Sequence, residues 1–288
     1  MAMHEGGSSV LEKILGKRIQ AFRQRAGLTQ QQLCNKANIS YSTLTKIERG
    51  AIKAPSIFTV SAISKALGCN LDELIGNDQE NDPSRHLKKS RNGISFIYFD
   101  VNGCLVRFYQ RAFIKIAEEF QVSTDLVETA FWHFNDDACR GTLSIAEFNK
   151  KLAEKIGINN IEWQSYYLEA AEAVPETREL IKSIFNNYKV GLLTNIMPGL
   201  LTSLRRLGRL PNLPYDAIVD SSEVGYVKPE QKIYEIAKER AGLSSNEILL
   251  IDDTRANLVA AERLGWHVLW FDYANPSSSV ERIKDILI

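Results

Sequence analysis

The strongest constraint on how this chain can fold is a change in hydrophobic rhythm near residue 93. Before it, apolar residues recur at helical spacing: Leu11, Ile14 and Leu15; Leu33 and Ala37; Leu44 and Ile47; Val60, Ile63 and Leu67; Leu71 and Leu74. After it, short apolar runs at 94–99, 190–193, 217–219, 248–251 and 268–271 alternate with amphipathic helical stretches such as 230–241. Two rhythms demand two cores, so the chain is expected to be multidomain. A small all-α domain is expected over 1–76. An α/β domain follows over 94–288, because strand-helix alternation builds a Rossmann-like parallel sheet covered by helices on both faces. About ninety residues separate its first two apolar runs, mostly helical in pattern and too many for a crossover, which predicts an inserted helical cap over about 108–176. Residues 77–93 are almost wholly polar and aperiodic, the mark of a solvated linker.

Helix boundaries in the first domain are written in its caps. Gly27 ends the first helix, and Thr29 with Gln32 three residues on starts the second. Ser40 starts and Gly50 ends the third, Ser56 after Pro55 starts a fourth, and Asn70 caps a fifth.

At 288 residues, 44% apolar and 24% charged, the chain can fill one small and one medium core. No apolar run approaches the ~20 residues a membrane helix needs, and the polar, glycine-rich start over 1–9 lacks a secretory signal, so a cytoplasmic protein is expected, with no membrane partner. Cys34, Cys69, Cys104 and Cys139 lie far apart, which predicts reduced thiols and neither disulfides nor zinc. The chain carries 35 basic and 35 acidic residues, but residues 1–92 hold 14 of the Lys and Arg against 8 of the Asp and Glu, leaving the front at +6 and the remainder at −6. A cationic front end favours a polyanionic partner.

Residues 29–37, a turn at Asn38-Ile39 and residues 40–49 have the lengths of a helix-turn-helix, whose second helix enters a DNA major groove. On that helix Tyr41, Ser42, Thr43, Thr45 and Lys46 offer hydrogen-bonding groups to base edges, while Gln30, Arg49 and Lys53 could contact phosphates. On pattern alone, a helical bundle without DNA function fits as well. The residues themselves, Arg23-x-x-x-Gly27-Leu28-Thr29-Gln30-x-x-Leu33, Ile39-Ser40-x-x-x-Leu44-x-x-Ile47-Glu48-Arg49-Gly50, Pro55-Ser56 and Ala66-Leu67-Gly68-Cys69-x-Leu71-Asp72-Glu73-Leu74, resemble the lambda-repressor/Cro-like (XRE) family. The resemblance implies a phosphate contact at Gln30, base contacts at Tyr41, Ser42 and Lys46, and Glu48 as a buried partner of Arg23. A homodimer on a two-fold double-stranded operator is the expectation.

In the second domain four segments end predicted strands, where doubly wound sheets place their ligands: Phe99-Asp100-Val101-Asn102-Gly103, Leu193-Thr194-Asn195, Tyr226-Val227-Lys228-Pro229 and Ile251-Asp252-Asp253-Thr254. They supply a carboxylate nucleophile (Asp100), a hydroxyl (Thr194) and a cation (Lys228) for phosphoryl oxygens, and acids (Asp252, Asp253) for Mg²⁺. The set resembles the haloacid-dehalogenase (HAD) superfamily, and Arg140-Gly141-Thr142-Leu143-Ser144 together with Gly225-Tyr226-Val227-Lys228-Pro229-Glu230 looks most like its sugar-phosphate phosphatase and epoxide-hydrolase N-terminal branch. The resemblance implies a phosphorylated Asp100, a phosphate site at Thr194, Asn195 and Lys228, and a metal held by Asp100, the Asn102 carbonyl, Asp253 and Asp252.

One position departs. The family's phosphatases usually carry a second Asp two residues after the nucleophile as general acid, and here it is Asn102. Amides do not transfer that proton, and a positioned acid contributes ~10²–10⁴ in rate. Three readings stay open: a domain that senses a phosphorylated small molecule or is phosphorylated on Asp100, a working phosphatase with a substitute acid, and a metal-free dehalogenase, against which Asp252-Asp253 argues. His133 and Trp132 are expected to pack within the cap, Cys104 to be a buried small residue, and Trp266 and Trp270 to pack the core.

Overall fold

The computed structural model describes residues 8–52, 55–69, 71, 74, 85–107 and 109–287. Lys53, the cap at Asn70 and the expected boundary near residue 76 lie outside them. The chain divides between residues 82 and 83 into two compact units.

The first unit is helical: α1 (Ser8–Arg25), α2 (Gln30–Ala37), α3 (Tyr41–Glu48) and α4 (Ile57–Leu67). Thr29 caps α2 in a reciprocal box with Gln32, left-handed Asn38 (φ 51°) ends it, and Ser40 caps α3. Ile19, Leu33, Leu44, Ile47, Val60, Ile63 and Leu74 form the core. Gly16 lets α1 lie against α3, since a Cβ there would stand 2.1 Å from the Ile47 carbonyl oxygen.

The second unit carries a five-stranded parallel sheet in the order β5-β4-β1-β6-β7, made of β1 (Phe96–Phe99), β4 (Lys189–Thr194), β5 (Ala217–Asp220), β6 (Ile248–Asp252) and β7 (His267–Trp270). Alternate residues of β1 serve the two faces. Ile97 and Phe99 join the core that includes helices Pro175–Ile184 and Pro276–Leu287, while Phe96 and Tyr98 join Ile233, Tyr234, Leu258 and Ala261 on the other side. Every expected strand is present. A short antiparallel pair, β2 (Val106–Arg107) with β3 (Glu172–Ala173), forms the base from which the cap leaves and returns. Between them run helices Tyr109–Phe120, Thr124–Cys139, Ile145–Ile156 and Trp163–Ala170, gathered around Phe113, Phe131, Phe148 and Trp163, with the Phe131 and Trp163 rings 4.5 Å apart.

Residues 85–93, expected to be solvated linker, are docked on this unit instead. Arg85 forms a bidentate, buried pair with Asp216 (2.9 and 3.1 Å) and donates to the carbonyls of Phe185 (3.0 Å) and Tyr188 (2.6 Å). The Lys88 amide donates to the Asn187 carbonyl, and Ser90 is buried through its bonds to Ile94. A polar composition conceals this anchoring because its partners lie about a hundred residues away in sequence.

Candidate functional site

Parallel strands deliver their C-terminal ends to one edge of the sheet, and the functional side chains converge there. Asp100 directly follows β1, Thr194 and Asp252 close β4 and β6, and Lys228 precedes helix Gln231–Ala241. Lys228 is 3% exposed, and its ammonium bonds Asp100 Oδ1 (2.9 Å), Asp252 Oδ2 (2.6 Å) and the Leu193 carbonyl (2.8 Å). Burial alone would lower its pKa, but the two carboxylates reverse this and hold it protonated.

Asp100 and Asp252 differ in how far they are satisfied. Both oxygens of Asp252 are taken, by Lys228, by the Asn257 amide (3.1 and 3.2 Å) and by the Thr254 backbone N–H (2.8 Å). On Asp100 the Val101 N–H and Lys228 both bond Oδ1, leaving Oδ2 without a hydrogen bond among the described residues. That is the free oxygen a nucleophile needs.

The residues present fit a divalent cation. One ligand oxygen from each of Asp100, Asp252 and Asp253 lies within 4.8 Å of the others. Burial, followed by the neighbouring carboxylates and only partly offset by Lys228, pushes Asp100 up to about 8 and Asp253 up to about 6, as expected of three clustered acids sharing one ammonium. Gly103 (φ 93°) makes room: a Cβ there would lie 2.1 Å from the Asp253 carboxylate. Trp270 packs against the core as expected, and its indole N–H also donates to the Asp253 carbonyl (2.9 Å), bracing the acidic turn while Arg255 stacks on its ring.

For a phosphoryl group, the Thr194 hydroxyl is fully buried with no hydrogen-bond partner among the described residues, an orphan donor whose desolvation is costly until an acceptor arrives. Asn195 lines a cavity together with Asp100 and Lys228, but its side chain clamps the Lys228 backbone at both N–H and C=O (2.8 Å each).

Asn102 occupies a matched niche. A backbone carbonyl can only accept, so the Asn102 amide turns its NH₂ to the Asn195 carbonyl (3.3 Å) and its oxygen to the buried hydroxyl of Tyr167 in the cap (2.9 Å). One donor and one acceptor is also the pattern a protonated carboxylic acid would satisfy. Above these groups lies a cavity of about 770 Å³, roofed in part by Glu128, Trp132, Asn135 and Asp136 on one face of helix Thr124–Cys139. Trp132, expected to pack, instead lines the cavity and is 46% exposed. His133 is exposed and edge-on to Phe134. Cys104 is buried, and all four cysteines are free. Tyr167, Asn257 and the roof acids carried no sequence signal, although Asn257 five residues after Asp252 has the spacing of a first-turn helix contact.

In the helical unit, Arg23 binds both oxygens of Glu48 (2.8 and 3.0 Å), as the resemblance implied. Gln30 donates to Glu48 (2.7 Å) and accepts from the Tyr41 hydroxyl (2.9 Å). Tyr41, Ser42, Lys46 and Arg49 are exposed, whereas the hydroxyls of Thr43 and Thr45 bond the Ser40 side chain and the Tyr41 carbonyl. No described helix is long and apolar enough to cross a membrane.

Comparison with known proteins divides the chain at the same place. Residues 19–74 match a helix-turn-helix family and residues 94–265 match the haloacid dehalogenase-like hydrolase family. The immunity repressor protein of Bacillus phage phi105 is 42% identical over 64 residues, 22% of this chain and 44% of the repressor, so the chain spans less than half of that relative. A pyrimidine 5'-nucleotidase of Escherichia coli is 25% identical over 195 residues, covering 62% of this chain and 85% of that enzyme. Among solved structures, a predicted HAD-like family hydrolase from Porphyromonas gingivalis superposes with a TM-score of 0.55 at 25% identity, covering 67% of this chain and 98% of its own.

Proposed function

Because the chain belongs to the haloacid dehalogenase-like hydrolase family and carries a helix-turn-helix domain ahead of that fold, we propose that it is a DNA-binding transcriptional regulator whose C-terminal domain holds a phosphorylated small molecule and turns it over slowly at most. It acts in this reading as a cytoplasmic homodimer on a two-fold operator, reading bases with Tyr41, Ser42 and Lys46 and phosphates with Arg49. The likeness of the first unit to a phage repressor supports the DNA-binding half.

The observation that carries the second half is the Asn102 amide, fixed at both ends where a proton donor would stand. Asp100 Oδ2 is placed to attack phosphorus, Lys228 and the Thr194 hydroxyl to receive the phosphoryl oxygens, and Asp100, the Asn102 carbonyl, Asp252 and Asp253 to hold Mg²⁺. Bound there, the metal would offset phosphoryl and carboxylate charge. The leaving oxygen, however, finds no proton at Asn102 and must depart as an anion or take one from water. Binding is therefore complete where bond cleavage is not.

A working phosphatase is the rival reading, favoured by the unhindered Asp100 oxygen. One assay separates them: Mg²⁺-dependent hydrolysis of p-nitrophenyl phosphate and of an ordinary sugar phosphate by the natural chain, Asn102→Asp and Asp100→Asn. Slow turnover of the activated ester alone, with a gain of ~10²–10⁴ in Asn102→Asp, is expected. Efficient hydrolysis of both esters by the natural chain, lost in Asp100→Asn, would defeat the regulator's inactive-sensor half. No preference for its own promoter region over random DNA would defeat the other half.

A further inference from the structure

Residues 85–91, Arg-His-Leu-Lys-Lys-Ser-Arg, hold four Lys or Arg and no acid, at the start of a domain that is otherwise acidic by six charges. This segment is not a floating tail. Arg85, the Lys88 amide and Ser90 pin it to the edge of the sheet where β4 begins, beside Asp216, whose carboxylate also accepts the Val190 N–H (2.8 Å). The Asp100 and Thr194 site lies at the opposite, C-terminal edge of the same strands.

The four cations are not equivalent. Arg85 is consumed by Asp216, and Lys89 pairs with Glu247. Lys88 and Arg91 are exposed and face no carboxylate within ion-pair distance among the described residues, the Lys88 ammonium lying only over the Tyr188 ring at 5.8 Å. Two solvated cations on an anchored segment, their charge not consumed by a carboxylate, present fixed positive charge to a polyanion. From Leu74 to Arg85 a fully extended chain spans at most ~40 Å. Half-sites of a two-fold operator stand ~34 Å apart, so phosphates flanking a half-site are within that reach.

We infer that Lys88 and Arg91 form a second DNA-backbone contact, binding phosphates that flank the sequence read by α3. This rests on the regulator reading above. Because the strap is at the edge away from the cavity, DNA and a phosphorylated ligand can be held together.

The test uses the full chain, a duplex of its own promoter region, a random duplex of equal length, and the dependence of affinity on KCl. Each phosphate contact contributes about 0.9 to the slope of log K against log salt. Lys88→Ala with Arg91→Ala is expected to reduce that slope by about 1.8 for each protomer, about 3.6 for the dimer on its operator, while keeping the preference for promoter over random DNA. Lys151→Ala with Lys155→Ala, which removes the same charge from the exposed face of the cap, should leave it near the natural value. If the natural chain prefers its promoter but the strap variant keeps the natural slope, or falls no further than the cap variant, the contact is refuted and the regulator reading stands. If the natural chain shows no preference at all, both fall.

Discussion

Each unit buries an ion grouping, and the two are built to opposite ends. In the helical unit Arg23 faces Glu48, both carboxylate oxygens are occupied, Gln30 adds a third donor, and Arg23 gives its remaining nitrogen to the Leu28 carbonyl. Charge and hydrogen bonds both close. In the C-terminal unit a single ammonium, Lys228, faces Asp100 and Asp252 directly with Asp253 close by, so negative charge remains inside the protein. A buried pair that closes is architecture; one that leaves a remainder creates a demand for something from outside. The same physics separates a residue such as Glu48, which on an exposed helix would pass for a DNA contact, from Asp100, which in a closed network would pass for a helix cap.

The comparison can be broken most forcibly at Lys228. Lys228→Met leaves the clustered carboxylates without their cation and should cost the C-terminal unit about 3–5 kcal/mol. All four tryptophans belong to that unit, so urea unfolding followed by tryptophan fluorescence reads it directly, and Mg²⁺ should restore part of the loss. An unchanged midpoint would mean the grouping is not the strained one. Arg23→Met should cost the helical unit less, about 2–3 kcal/mol, because Gln30 still donates to Glu48. Arg23→Met combined with Glu48→Leu should recover most of it, as amide exchange in α1 and α3 would show.

A third test uses pH. Folded-state pKa values raised to about 8 and about 6 mean that Asp100 holds a proton in the metal-free protein at neutral pH, while Asp253 takes one up only as pH falls towards about 6. A raised carboxylate pKa makes the metal-free fold lose stability as pH climbs towards that value, and a cation must displace those protons to bind. Mg²⁺ affinity should therefore rise with pH up to about 8, by up to roughly tenfold per unit for each proton released, and the Mg²⁺-induced rise in melting temperature should be larger at pH 8 than at pH 6. A shift independent of pH would contradict the cluster as the metal site. The helical unit should not respond. The smallest effect is expected at Tyr167→Phe, about 1 kcal/mol for one buried hydrogen bond, with no change in the natural chain's hydrolysis. In the Asn102→Asp background the same change should move the pH dependence of turnover, since the hydroxyl then supports one oxygen of the acid.

What was legible in the sequence and what was not follows from distance along the chain. Strands β1, β4, β5, β6 and β7 announce themselves because continuous apolar runs are needed where both faces of a sheet are covered, and Asp100, Thr194, Lys228 and Asp252 stand at their ends or in the loops beside them. Caps such as Thr29 with Gln32 are equally local. The grip of Tyr167 on Asn102 spans 65 residues and that of Arg85 on Asp216 spans 131, and neither leaves a pattern in composition or periodicity. Trp132 shows another limit: a helical face lining a cavity has the same spacing as one lining a core. Strands β2 and β3, two residues each, are too short for any period to appear.

The fixed amide at Asn102 bears finally on what kind of measurement the protein makes. An enzyme that destroys its ligand responds to flux, because the occupancy of its site depends on how quickly each molecule is consumed and replaced. A site arrested before release leaves the supply untouched, and its occupancy follows concentration alone. With a carboxamide in that position the charge of the side chain is also the same at every physiological pH, so acidity does not enter the reading through this residue. In the proposed reading, two hydrogen bonds, to Tyr167 and to Asn195, would make the C-terminal unit a gauge rather than a consumer.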